Sequence, residues 1–232
     1  MLKVIAFVMA ALMLASCEFV SVDKGKVAAT WNKEATVCEG DVETRSFDLS
    51  GFQSIVLNGH ADVDVYQGDV FEVSVTANAD LFQHLDYSVQ DGVLILQTVD
   101  RKNVKAKKYN VKITAPVFTR ITVNGASDLD LHRYAAEEGL TLEVNGAGDL
   151  AFEGGFTAPS LKVVVNGAGD IEAEQLDLQD LLVEVNGAGD AEVSGRTVNA
   201  TFKIAGAGDI DARLLAKEHV ETSKSGVGSI KL

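Results

Sequence analysis

Asn145-Gly146-Ala147-Gly148-Asp149, Asn166-Gly167-Ala168-Gly169-Asp170 and Asn186-Gly187-Ala188-Gly189-Asp190 are one turn written three times. A variant precedes them, Asn124-Gly125-Ala126-Ser127-Asp128, and another follows, Ala205-Gly206-Ala207-Gly208-Asp209. A decayed copy, Ser225-Gly226-Val227-Gly228-Ser229, lies near residue 232, and an outlying relative, Asn58-Gly59-His60-Ala61-Asp62, lies upstream. From Asn124 onward the starts step by 21, 21, 20, 19 and 20 residues. Self-similarity at such a period is the mark of a solenoid of stacked coils. The 66 residues between Asn58 and Asn124 match three further steps of 22, so more coils are expected there.

The residues flanking the turns state what each coil buries. Three residues and one residue before each turn stand Ile121 and Val123, Leu142 and Val144, Val163 and Val165, Val183 and Val185, Phe202 and Ile204. Directly after the turns come Leu129, Leu150, Ile171, Ala191, Ile210 and Ile230. Two residues later stand Leu131, Phe152, Ala173, Val193, Ala212 and Leu232. Alternation with period two puts each set on one face of a strand. Stacking at ~4.8 Å then turns the sets into columns of a continuous core. A less regular return carries Leu176, Leu178, Val198, Leu215 or Val220. The chain therefore reads as all-β, a parallel β-helix with coils of about twenty residues. The alternative is a β-sandwich or meander of short strands.

The N-terminus is set aside from the fold. Lys3 precedes an apolar run over residues 4–14, too short to span a bilayer as a helix. It ends in Leu14-Ala15-Ser16-Cys17, which resembles the lipobox of bacterial lipoproteins. That resemblance implies a signal peptide over residues 1–16 and lipidation at Cys17, hence a membrane anchor. Residues 17–39 read as a flexible tether carrying Trp31, and residues 40–232 as one domain. Within it, residues 79–85 form a short amphipathic turn, and Asp91-Gly92 joins strands at 87–89 and 93–96 as a hairpin. Removing Lys3 with the leader takes the net charge from −14 to −15, which argues against nucleic acid as a partner. With Cys17 acylated, Cys38 has no intrachain disulfide partner and reads as a small buried hydrophobe or a free thiol.

Each letter of the turn has a structural use. Gly125, Gly146, Gly167, Gly187 and Gly206 supply positive φ at a sharp corner. Asn124, Asn145, Asn166 and Asn186 can stack as amide ladders. Asp128, Asp149, Asp170, Asp190 and Asp209 are the informative column. Unit charges 4.8 Å apart repel by ~0.9 kcal/mol in water and ~3.5 kcal/mol at an effective dielectric of 20. Two readings relieve that cost: each carboxylate accepts bonds from its own turn, or the column binds cations such as Ca²⁺. A basic run, Arg101, Lys102, Lys105, Lys107 and Lys108, reads as a solvated loop or as a site for an acidic glycan.

Enzymatic constellations are missing from the sequence. His60, His84, His132 and His219 lack metal-ligand spacing, and no Lys-Ser/Thr follows the glycine-rich corners. Carboxylates abound, but none stands out as a pair for glycan hydrolysis. No cofactor is expected beyond the calcium alternative.

Residues 40–55, Val65-Tyr66-Gln67-Gly68, Val93-Leu94-Ile95-Leu96 and Thr114-Ala115-Pro116 precede the corners in a characteristic order. In that order they resemble the putative auto-transporter adhesin head GIN domain family. The resemblance covers residues 40–232 and implies a right-handed β-helix on lipid-anchored bacterial envelope proteins, facing the periplasm or the surface of the outer membrane. It implies adhesion and carries over no catalytic residues. The expected function is thus a non-catalytic module presenting a β-helix to a surface glycan or protein ligand. The alternatives are a glycan-active enzyme on the same fold, or an assembly protein that self-associates through coil ends.

Overall fold

The computed structural model describes residues 35–99 and 103–232. The leader, Cys17, Trp31, Arg101 and Lys102 lie outside the described residues. The chain opens with β1 (Thr36–Cys38), β2 (Val42–Phe47), β3 (Ser54–Gly59), β4 (Asp62–Gln67) and β5 (Glu72–Asn78). A 3₁₀ turn, Ala79–His84, buries Leu81 and Phe82. Next comes the hairpin of β6 (Leu85–Gln90) and β7 (Val93–Thr98), with positive φ at Asp91 and Gly92 as expected for that dipeptide. The chain then runs through β8 (Val104–Ala106), β9 (Tyr109–Ala115), β10 (Arg120–Ala126), β11 (Leu129–Ala135) and β12 (Leu140–Ala147). Long strands follow, β13 (Leu150–Ala168), β14 (Ile171–Ala188), β15 (Ala191–Ala207) and β16 (Ile210–Val227), before the short β17 (Ile230–Lys231).

Two parallel ladders build a β-helix. One joins β7, β3, β10, β12 and the later halves of β13 to β16. The other joins β9, β4, β11, the earlier halves of β13 to β16, and β17. Among the described residues, no helix is long and apolar enough to cross a membrane.

The columns read from the sequence are the core. Ile121, Val163, Val183, Phe202, Leu129 and Ile210 are fully buried, and so are most of their column mates. Each such side chain is worth ~1.5–3 kcal/mol of burial, and parallel pairing carries the columns from coil to coil. Three positions depart from expectation. On the return, Thr197 rather than Val198 pairs with Leu178 and turns inward, its hydroxyl satisfied by the carbonyl oxygens of Gln179 and Asn199. Val220 and Leu232, on the last described coil, are exposed because no further described coil covers them.

The largest correction concerns residues 58–124. Asn124 pairs directly with Asn58, so the coil of β3 and β4 is the immediate neighbour of the coil of β10 and β11. The two intervening coils that three steps of 22 would make are absent among the described residues. The intervening chain instead makes one partial coil, β7 and β9, stacked on the other side of β3 and β4. Antiparallel strands then cover its outer edges: β6 lies on β7, β5 on β9, and β2 on β5. An open coil end exposes a row of unpaired backbone groups, and these added strands take up that edge.

The domain also begins earlier than residue 40. β1 pairs in parallel with β8 in a separate two-stranded sheet, and its last residue, Cys38, is buried, so residues 36–38 are strand rather than tether. Asp80 holds this segment by accepting the N–H groups of Glu39 and Gly40 at 2.9 and 3.0 Å. Buried Asn78 donates to the Gly40 carbonyl and accepts the N–H groups of Lys107 and Lys108, which gives the backbone of these two residues a structural role.

The step of 21 from Asn124 takes its extra residue on the return, where residues 136–139 face 158–160. From Asn145 to Ala205, in contrast, the variation in the period lies at one corner. Between the paired positions Phe152–Ala173–Val193 and Phe156–Leu176–Gly195, successive coils place three residues (153–155), two (174–175) and one (194). These counts reproduce the steps of 21, 20 and 19, so the Asn-Gly corner keeps its length while the opposite corner absorbs the change. Gln175 sits there at φ 55°, a left-handed conformation that few side chains adopt.

Candidate functional site

The Asn-Gly corner brings one coil's backbone onto the next. Gly146 has φ 150°, and a Cβ built on it would lie 2.0 Å from the Gly125 carbonyl oxygen. Both the conformation and the contact exclude any larger residue. This close approach sets Asn over Asn. Nδ2 of Asn124, Asn145, Asn166 and Asn186 donates to Oδ1 of Asn58, Asn124, Asn145 and Asn166 in turn, at 2.9 to 3.0 Å. The expected amide ladder is present, and all its bonds point the same way. Ala205 ends it.

The five aspartates stack as expected, but the donor to each carboxylate is not the one expected. Oδ1 of Asp128, Asp149, Asp170 and Asp190 accepts the backbone N–H of the corner aspartate one coil on, at 3.1, 2.9, 2.8 and 2.8 Å. Asp209 accepts both the hydroxyl and the N–H of Ser229, and these bonds, with Lys231 nearby, hold its carboxyl below the usual range. The bonds therefore run between coils, not within a turn. The parallel stack points each coil's amides at its neighbour, so a side chain at the corner meets the next coil's N–H before its own.

One oxygen of each corner aspartate is thereby committed to the fold, and the carboxylate faces outward beside a second row. Alternation after the corner places Asp130, Glu172, Glu192 and Asp211 two residues beyond Asp128, Asp170, Asp190 and Asp209, with Ala151 as the one gap. Together the two rows line an open groove of about 540 Å³ that ends at Lys231. Asp211 is held at about 2 by the Arg213 guanidinium and by the Arg213 N–H. A neighbouring groove of about 700 Å³ runs along Ala126, Ala147, Ala168 and Ala188, with His60, Lys107 and Tyr109 at one end. The second acidic row was available to sequence reading from the period-two alternation alone.

At the cap end of the acidic face lies a cluster that spacing did not reveal. His132 stacks on Tyr66 with ring centroids 4.2 Å apart. Its Nε2 meets Asp64 Oδ1 at 2.8 Å and its Nδ1 meets Glu153 Oε2 at 3.0 Å, which ties three successive coils together. Burial, with Asp64 and Glu153 close by, pushes the Asp130 carboxyl up. Asp64 and Tyr66 of β4, Asp130 and His132 of β11 and Glu153 of β13 come from three strands and meet only through coil register. Among the described residues, no group of three or more His, Cys, Asp or Glu side chains converges to hold a metal ion.

A family model described as putative auto-transporter adhesin, head GIN domain, matches residues 51–232. Solved structures share the fold. A protein from Parabacteroides distasonis described as a putative lipid binding protein superposes with a TM-score of 0.73 at 18% identity, over 85% of this chain and 100% of that one. A putative adhesin from Bacteroides fragilis gives 0.62 at 20% identity, over 85% and 99%. Another from Parabacteroides merdae gives 0.51 at 16%, with the same coverage of 85% and 99%. No curated protein matches the chain.

Proposed function

We propose a function from one premise, that the chain belongs to the putative auto-transporter adhesin head GIN domain family: it is a non-catalytic binding module of the bacterial envelope, anchored through Cys17, whose ligand meets the acidic face. The double row of outward carboxylates carries this reading. An uncompensated row of like charge costs stability, and the corner bonds account for only one oxygen of each aspartate. A ligand bearing cationic groups, or bridged through Ca²⁺, would relieve the remainder. The regular face repeats one chemical unit along its length, which suits an extended glycan or protein surface better than a single reacting bond.

A glycan array probed with the full chain, with Ca²⁺ and with chelator, tests the reading. Vesicles form a second arm, because one relative of this fold is described as lipid binding. Binding should be lost in a variant carrying Asp170→Asn, Glu172→Gln, Asp190→Asn and Glu192→Gln. A blank array, without any calcium-dependent melting shift, overturns it. Continued membrane fractionation of Cys17→Ser would separately refute lipidation as the anchor.

A second reading, glycan hydrolysis, rests on Asp130, whose raised carboxyl beside Asp64 and Glu153 has the environment of a general acid. Release of reducing ends that is lost in Asp130→Asn would favour it.

A further inference from the structure

The five Asn-Gly steps at Asn58, Asn124, Asn145, Asn166 and Asn186 share a chemical weakness. The nitrogen of a following glycine, unhindered by a Cβ, can attack the asparagine Cγ. The N–Cγ bond forms, the Cγ–Nδ2 bond breaks, and ammonia departs with the proton from the glycine nitrogen. The succinimide then adds water at either carbonyl, leaving aspartate or isoaspartate. Sequence alone ranks the five steps as equals.

The stack separates them. Asn124, Asn145, Asn166 and Asn186 each hold Nδ2, the leaving group, in a ladder bond, and Asn186 adds a second bond to Glu184 Oε1 at 2.8 Å. Each of their glycines also lies between two other corner glycines: a Cβ on it would fall 1.9 to 2.0 Å from the preceding one's carbonyl oxygen, and the following one covers its own carbonyl. Asn58 differs on both counts. It only accepts, from Asn124 Nδ2, and among the described residues its own Nδ2 has no partner. Gly125 covers Gly59 from one side, but β7 pairs with β3 only as far as Asn58, so the other side is open and a Cβ on Gly59 would meet nothing within 4 Å. A cleft lined by Tyr87 and Tyr109 opens beside this corner.

We propose that Asn58-Gly59 is the modification site of the chain, where succinimide formation and hydrolysis replace the amide with a carboxylate while the other four Asn-Gly steps stay protected. Where hydrolysis yields aspartate the ladder survives, because a carboxylate still accepts the Asn124 amide, whereas isoaspartate lengthens the backbone at this corner by one methylene. The product adds a negative charge at the cap end of the corner column.

The full chain, incubated at mildly alkaline pH and digested, reports conversion at each site by peptide mapping with isoaspartate-specific methyl labelling. In the folded protein Asn58 should convert several-fold faster than any other Asn-Gly step, and in denaturant the five should converge. Asn124→Ala, which removes the one bond to the Asn58 side chain, should speed conversion at Asn58 further. Equal rates in the folded protein, or an inner asparagine converting first, overturn the proposal. Should Asn124→Ala fail to fold, the folded-against-denatured comparison on the unaltered chain still decides.

Discussion

Asp170 Oδ1 accepts the backbone N–H of Asp190 at 2.8 Å, across the boundary between two coils. The same carboxylate that strains the stack by its charge therefore also fastens it. Hydrogen bonding and charge can be separated at this position, because asparagine keeps the acceptor oxygen and removes the charge.

Asp170→Asn is expected to leave the melting temperature unchanged or raised, with the gain shrinking as salt screens the column. Asp170→Ala should cost about 1 kcal/mol through the lost bond to the Asp190 amide. Thermal unfolding of the two variants at low and high salt checks this. Equal losses in both would mean that the charge, not the acceptor, matters.

The amide ladder has a direction, so its members are not equivalent. In Asn145→Asp the carboxylate faces Asn124 Oδ1, acceptor against acceptor, where a donor stood. A loss of about 1–3 kcal/mol is expected, as for an unsatisfied polar group. Asn58→Asp keeps its acceptor role toward Asn124 and should be close to neutral. Chemical denaturation of both variants measures the asymmetry.

Gly146 and Gly51 both have positive φ, but only Gly146 lies against another coil. Gly51→Ala should therefore cost only the left-handed conformation, about 1–2 kcal/mol. Gly146→Ala must also displace the Gly125 carbonyl and should exceed ~4 kcal/mol or prevent folding. Soluble yield and unfolding midpoints distinguish the two costs.

Asp80 governs the segment that enters the fold. The N–H groups of Glu39 and Gly40 hold its carboxyl below the usual range, so the latch is fully present above the unfolded-state value, ~3.9. It is lost as pH falls through the lower folded-state value. Hydrogen exchange at Glu39 and Gly40 should lose protection in that acid range and, at neutral pH, in Asp80→Ala. Protection across β10 to β16 should remain, because among the described residues β1 pairs only with β8. Simultaneous loss in both regions would show that the latch does not open on its own.

The repeating coil is legible in the order of the residues. Corner glycines at a near-constant interval and apolar residues alternating beside them leave few other ways to bury Ile121, Val163 or Val183, because side-chain direction in a strand follows from residue parity. The stacked asparagines and both acidic rows follow from the same local rule. Tertiary structure alone decided which coil lies next to which. Nothing local in residues 58–124 states that Asn58 touches Asn124, or that β7 and β9 stack behind β3 and β4 under antiparallel covers. It also decided that each corner carboxylate serves the next coil's amide, and that Asp64, His132 and Glu153 meet. Such contacts depend on register between segments far apart in the chain, and register is set by the packing of the whole core, while periodicity is written into each coil separately.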